Sequence, residues 1–310
     1  MEFQGDPVRL WTFIPLLLVG CSAPSVMSPL SGAPFLAVVN AGNSTVSFYS
    51  LSGIHANSSP QLVLGTGPGN YPVALAFDPQ GNLWVGGGNC AAPSSFLEEF
   101  KAPFVPGERP IVFSPPQGSA YALAFDGQGH LWIGEADCAN SVSAFSLIQE
   151  YSVSSGGLSS VGSPLKLSGT AYGLAFDSSG NLWVSLADNQ ATELLEYFLP
   201  LSSTSQPQTY SLANTPYGFG PLTFDAQGNP YGFVQESTAS LEELVRSKST
   251  FSSVFEVSGS PFGLTFDPQG NLWISDINGI QEFQPPFSSN QAVLTLTQGI
   301  DNPKDLAIWP

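Results

Sequence analysis

Basic residues are scarce in this chain. Seven Lys and Arg face 24 Asp and Glu across 310 residues, a formal net charge of -17 at pH 7. Such a surface repels phosphate backbones and anionic lipids, so nucleic acid is excluded as a partner and a membrane is reachable only through an anchor. Charged residues of either sign make up 10% of the chain, against about a quarter in ordinary globular proteins, so solubility rests on Ser, Asn, Gln, Gly and Pro. Histidine is limited to His55 and His130, and cysteine to Cys21, Cys90 and Cys138. There is no HExxH, GxSxG or CxxC motif, and GTGPGN at Gly65 to Asn70 lacks the third glycine of a dinucleotide loop. The apolar run from Leu10 to Gly20 falls short of the roughly 20 residues a membrane-spanning helix needs.

That run, preceded by Arg9 and followed by small residues, has the grammar of an export signal. Its end, Leu18-Val19-Gly20-Cys21, resembles the bacterial lipobox, in which the cysteine is lipidated and becomes the first mature residue. The resemblance implies a signal peptide over residues 1–20, lipidation at Cys21 and, with Ser22 next in line, a periplasm-facing or outer-membrane location. An ordinary secretory signal with Cys21 incidental is the other reading. Residues 21–34 read as a flexible tether. Export places Cys90 and Cys138 in an oxidising compartment, where a disulfide persists.

The rest of the chain repeats. YPVALAFDPQGNLWVGG, SAYALAFDGQGHLWIGE, TAYGLAFDSSGNLWVSL, YGFGPLTFDAQGNPYGFV and SPFGLTFDPQGNLWISD align on Asp78, Asp126, Asp177, Asp225 and Asp267, at spacings of 48, 51, 48 and 42. A β-rich period of this length predicts propeller blades. Each unit has an apolar strand, a turn with Asp first and Gly fourth, and a second strand rich in β-branched and aromatic residues, which is a hairpin closed by a type I turn. The five aspartates are therefore read as turn formers. A third strand follows at Phe96 to Phe100, Val142 to Leu147, Leu194 to Phe198, Leu241 to Val245 and Ile280 to Phe283, and a fourth at Ile111 to Phe113 and Ser252 to Val257. The ends supply a sixth blade. Asn302 to Pro310 matches a first strand, Pro34 to Leu51 a second and third, and Gln61 to Pro68 a fourth. The expectation is an all-β, six-bladed propeller of four-stranded blades over residues 35–310, its C-terminal strand pairing with N-terminal strands to close the ring. Trp84, Trp132, Trp183 and Trp273, with Tyr231 in their place in the fifth blade, read as packing between blades. Pro230 in that blade predicts a second strand that is bulged or late in starting.

PFGLTFDPQGNLWISDINGIQEF, from Pro261 to Phe283, resembles an NHL-type repeat, a class broad enough to include streptogramin lyase and the gluconolactonase-like propellers. Streptogramin lyase implies seven blades and a histidine acting on a metal-held substrate; His130 replaces an Asn of the turn and His55 lies in a polar loop, so neither stands where that chemistry is expected. The gluconolactonase-like propellers imply six blades and a central divalent ion on oxygen ligands. Loops after the second strands carry Asn40, Asn89, Glu135, Asp137, Asp188, Glu236 and Asp276, which are the ligand-face candidates. Glu135, Asp137, Asp188 and Asp276 are the candidate metal ligands, with calcium as the expected ion. Cys90 and Cys138 each follow their repeat's Asp by 12 residues. They form a disulfide if their loops lean together near the axis, and are otherwise two separate thiols. The resulting expectation is a monomeric, extracytoplasmic, lipid-anchored module that binds a protein, peptide or glycan, with a metal-dependent hydrolase or lyase as the alternative.

Overall fold

The DxxG corner organises every repeat. Asp78 donates its backbone N–H to the Asn82 carbonyl at 3.0 Å, Gly81 returns one to the Asp78 carbonyl at 2.9 Å, and the same pair recurs at Asp126, Asp177, Asp225 and Asp267. Gly81, Gly129, Gly180, Gly228 and Gly270 hold φ between 80° and 84°, a left-handed conformation that glycine takes without strain. In each corner the Asp Oδ1 accepts the backbone N–H groups two and four residues on, at 2.8–3.0 Å. The Asp Oδ2 accepts the indole N–H of the tryptophan six residues on, at 3.1 Å for Trp132 and Trp183, 3.0 Å for Trp273 and 3.4 Å for Trp84. A buried indole N–H needs a partner, and the turn carboxylate supplies it.

The computed structural model describes residues 30, 32, 34–67, 69–89, 92–113, 118–136, 146–154, 157–167, 169–187, 192–202, 204–212, 219–235, 239–245, 249–257, 259–287 and 289–309. They form six antiparallel four-stranded sheets arranged as the blades of a propeller. The first blade holds β1 (Phe35–Asn40), β2 (Thr45–Ser50) and β3 (Leu62–Gly65). The second holds β4 (Pro72–Phe77), β5 (Leu83–Asn89), β6 (Ala92–Phe100) and β7 (Ile111–Phe113), and the third β8 (Ser119–Phe125), β9 (Leu131–Ala136), β10 (Ser146–Ser154) and β11 (Gly157–Leu167). The fourth is β12 (Thr170–Phe176), β13 (Leu182–Ala187), β14 (Thr192–Tyr197) and β15 (Gln208–Leu212); the fifth is β16 (Phe219–Phe224), β17 (Pro230–Gln235), β18 (Ala239–Val245) and β19 (Thr250–Val257). The sixth is β20 (Gly263–Phe266), β21 (Leu272–Asp276), β22 (Gly279–Phe283) and β23 (Leu294–Leu296). The last strand, β24 (Pro303–Trp309), returns to the first blade and pairs with β1, as the two ends of the sequence predict.

One local expectation is settled and one lies partly outside the described residues. In the third blade β10 runs Ser146–Ser154, with Ser146 to Tyr151 opposite Ala136 to Leu131. The expected segment Val142 to Leu147 meets it at Ser146 and Leu147, and its first four residues lie outside the described residues. In the fifth blade β17 begins on time, at Pro230 opposite Phe224, but its pairing with β18 starts only at Tyr231. Proline has no N–H to give the third strand, so the loss falls on that side alone.

The core lies between the blades. Trp84 packs with Leu97, Ala120, Leu123 and Ile133, so its indole joins the second blade to the third. Tyr231 occupies the same position in the fifth blade and meets Phe266 edge-on at 5.2 Å. Leu30, within the segment expected to be a tether, packs against the core at 8% exposure and donates its N–H to Phe104.

Candidate functional site

Six innermost strands, β24, β4, β8, β12, β16 and β20, surround the axis. Three residues before each corner stands a leucine: Leu75, Leu123, Leu174, Leu222 and Leu264, with Leu306 as their counterpart in β24. All six are buried and line one central cavity of about 180 Å³. Two residues earlier stand Val73, Tyr121, Tyr172, Gly220 and Phe262, with Lys304 as the counterpart in β24. In five of the six blades the ladder slips at this rung, between Pro72 and Ala74, Ala120 and Ala122, Ala171 and Gly173, Phe219 and Leu222, and opposite Val39 and Asn40 in β24. A β-bulge leaves one residue unpaired and re-aims its side chain. Here the unpaired residues include Val73, Tyr121, Tyr172 and Lys304, so a repeated bulge builds the mouth of the channel.

The mouth is aromatic. Val73, Tyr121, Tyr172 and Phe262 line the cavity, and Tyr172 keeps 49% of its surface exposed. The Lys304 ammonium sits 3.5 Å from the centre of the Phe262 ring, a cation–π contact that holds one of the chain's few cations at the rim. Burial, then the neighbouring Tyr172 and Tyr71 phenols, pushes the Tyr121 hydroxyl above its usual range. Tyr71 accepts a hydrogen bond from Asn302 Nδ2 at 3.3 Å.

Below the rim, Asp305 carries the cavity's one acidic side chain among its lining residues. The residue keeps partial contact with the channel while its carboxylate is enclosed by protein. Oδ2 accepts the Leu75 N–H of the next blade at 2.9 Å, and Oδ1 the Leu306 N–H at 2.8 Å. Burial outweighs both bonds and pushes its pKa from 3.8 up to about 6. A raised carboxyl contributes stability that is fully present below its unfolded value and is lost as the pH rises through the folded one. Ionising Asp305 thus costs about 3 kcal/mol between about pH 4 and 6. Burial raises Glu98, Asp276 and Glu282 in the same direction. Thermal melts should lose roughly 5–10 °C across that window, and Asp305→Asn, which cannot ionise, should remove most of the slope. An unchanged slope in Asp305→Asn would refute the assignment.

The opposite face, where the corners lie, holds a second recurring set. The tryptophan of each second strand faces a glutamate on the third: Trp84 pairs with Glu99, Trp132 with Glu150, Trp183 with Glu196 and Trp273 with Glu282, while Tyr231 pairs with Glu243. Each corner therefore has a carboxylate pair beside the residue four on from the aspartate, an asparagine in four blades and His130 in the third. Asn181 Nδ2 reaches Asp177 at 3.2 Å and Glu196 at 3.3 Å. The glutamates take different partners: Lys101 for Glu99, the Tyr210 hydroxyl at 2.8 Å for Glu196, and His130 for Glu150. This column escaped sequence reasoning because its distance from the corner aspartate runs 21, 24, 19, 18 and 15 residues.

Of the ligand-face candidates, Asn40 is fully buried; its Oδ1 accepts the Asp301 N–H at 3.0 Å and its Nδ2 donates to Ser47 at 3.0 Å. Asp276 is equally buried and caps the β21–β22 hairpin, its Oδ1 accepting Asn278 and Gly279 N–H and its Oδ2 the Gln281 amide at 2.8 Å. Glu135 is buried within its blade and accepts the Tyr151 hydroxyl at 2.9 Å. These three stay in separate blades, each inside its own hydrogen-bond set. Asn89 ends β5. Its side chain, and Cys21, Cys90, Asp137, Cys138, Asp188 and Glu236, lie outside the described residues.

Residues 66–89, the second blade's first hairpin, match the family model described as the two component regulator propeller, where residue resemblance had suggested NHL-type repeats. The comparison with curated proteins finds no match. Among solved structures, the fold is similar to a periplasmic gluconolactonase of Pseudomonas aeruginosa, with TM-score 0.63, 14% identity and coverage of 90% of this chain and 99% of that one. It is also similar to a Bacteroides caccae protein of unknown function, at 0.59, 12%, 91% and 99%. Virginiamycin B lyase from Staphylococcus aureus follows at 0.52, 14%, 76% and 73%. At such identities the likeness establishes the propeller fold and nothing of its chemistry.

Proposed function

We propose that this propeller is an extracytoplasmic binding module, held to the bacterial envelope by a lipid on Cys21, that takes a glycan or an extended peptide at the aromatic mouth of its channel. The observation that carries the reading is the bulge repeated in five inner strands, which turns Tyr121 and Tyr172 toward the axis beside Phe262 and Lys304. Rigid aromatic faces with hydroxyl tips give contact area at low entropic cost, and a low-charge rim suits polar, uncharged partners. The export grammar of residues 1–20 and the lipobox-like Leu18–Cys21 support the location. Binding is favoured over a metal-dependent hydrolase or lyase because Asp276 spends both its oxygens on the β21–β22 hairpin and stands in a different blade from Glu135.

The test is a screen of the full chain on glycan and peptide arrays, followed by titration of the hits. Tyr172→Ala should weaken binding about 30-fold, the loss of a roughly 2 kcal/mol hot spot, and leave the melting temperature unchanged because the side chain is half exposed. Hits that bind Tyr172→Ala and Phe262→Ala as tightly as the parent, or arrays without a hit, would remove the mouth as the site.

A further inference from the structure

The third blade departs from the other corners at one residue. Asn82, Asn181, Asn229 and Asn271 each donate an amide N–H to the Oδ2 of their corner aspartate, at 2.7–3.2 Å. The third blade has His130 there, with Nδ1 2.6 Å from Glu150 Oε1 and 3.5 Å from Asp126 Oδ2. From this geometry we infer that Asp126, His130 and Glu150 form a binding site for a borderline divalent ion of the zinc type.

Three observations support it. The donor set is one imidazole nitrogen and two carboxylate oxygens, all within 4.8 Å of one another, and borderline ions favour such mixed ligands while calcium takes oxygen alone. The supports are already in place: Asp126 Oδ1 accepts the Gln128 and His130 N–H groups at 2.9 Å, and its Oδ2 accepts the Trp132 indole at 3.1 Å, which fixes the carboxylate against the blade. Metal bonds of about 2.0–2.1 Å in a tetrahedron set ligand atoms about 3.3 Å apart. The Asp126 to His130 distance is near that already, the His130 to Glu150 distance reaches it by lengthening less than an ångström, and Asp126 and Glu150 lie within 4.8 Å of each other.

The site is also open. His130 and Glu150 are partly exposed, and Asp126 and Glu150 border a cleft of about 510 Å³ between the third and fourth blades, with Ser163 and Ser202 on its walls. Three protein ligands leave a fourth position facing the cleft for water or a small anion.

Competition of the full chain with a chromophoric chelator, using zinc alone, tests the inference. The expected result is one zinc per chain, weakened at least tenfold in both His130→Asn and Glu150→Gln, with cobalt giving the visible absorption of a four-coordinate ion in the parent only. His130→Asn restores the residue the other four corners carry, so its metal-free melt should match the parent's. Zinc binding of parental strength in His130→Asn, or no zinc bound by the parent, overturns the site. The corner face is opposite the aromatic mouth, so ligand binding that depends on Tyr172 survives or fails separately.

Discussion

Removing Pro303–Trp309 should leave a chain without a cooperative melt. That strand pairs with all six residues of β1, every one of them buried, and supplies Leu306 and Ile308 to one interblade cluster and Ala307 and Trp309 to the next. Trp309 lies 5.7 Å from Phe35 and 5.2 Å from Phe104, ring centre to ring centre. Burying Leu306 and half-burying Ile308 and Trp309 contributes about 3–5 kcal/mol, a large share of the stability of many domains. The deletion also strips β1 of its inner neighbour, which leaves a row of unpaired backbone groups open to aggregation. Circular dichroism on heating should show a broad, low-temperature transition. A sharp melt within about 10 °C of the parent would mean that the ring does not depend on this closure.

Asp177→Ala should cost about 3–5 kcal/mol at neutral pH. The side chain is 7% exposed and its Oδ1 accepts the Ser179 and Asn181 N–H groups at 2.9 Å. Its Oδ2 accepts the Asn181 amide at 3.2 Å and the Trp183 indole at 3.1 Å, so alanine leaves four donors behind, the Trp183 indole among them inside the core. Burial alone would raise this carboxyl, but bonds from Asn181, Trp183 and Ser179 outweigh it and hold the pKa below 3.8. A depressed carboxyl gives stability that is present above its unfolded value and lost as the pH falls through the folded one. The penalty of Asp177→Ala should therefore be full at pH 7 and shrink below about pH 4, the opposite of the Asp305 profile. Urea midpoints of parent and variant at the two pH values measure it; a penalty under about 1 kcal/mol at pH 7 would show that the corner closes without its carboxylate.

Most of the architecture was legible because the corner is local. Asp, Gly and Trp recur at fixed offsets, and each does its work within a few residues of its place in the chain. The Glu99, Glu150, Glu196, Glu243 and Glu282 column was hidden because its members align across the ladder and not along the sequence. Asn40 and Asp276 were legible as polar residues at strand ends, but a sequence does not tell a carboxylate aimed at solvent from one closing a hairpin. Tyr121 and Tyr172 stand in plain view five residues before their aspartates, yet only the bulge turns them toward the axis.

The pairing of Phe35 with Trp309 gives the ring a compass direction. The chain enters at the start of a second strand, on the side where the corners lie, whereas Tyr121, Tyr172, Phe262 and Lys304 stand at the far end of the inner strands. Under the proposed anchoring through Cys21, the segment before Phe35 joins the propeller on the face of the corners, His130 among them, and the aromatic mouth lies on the face away from that junction. A partner approaching from the far side meets the tyrosines first.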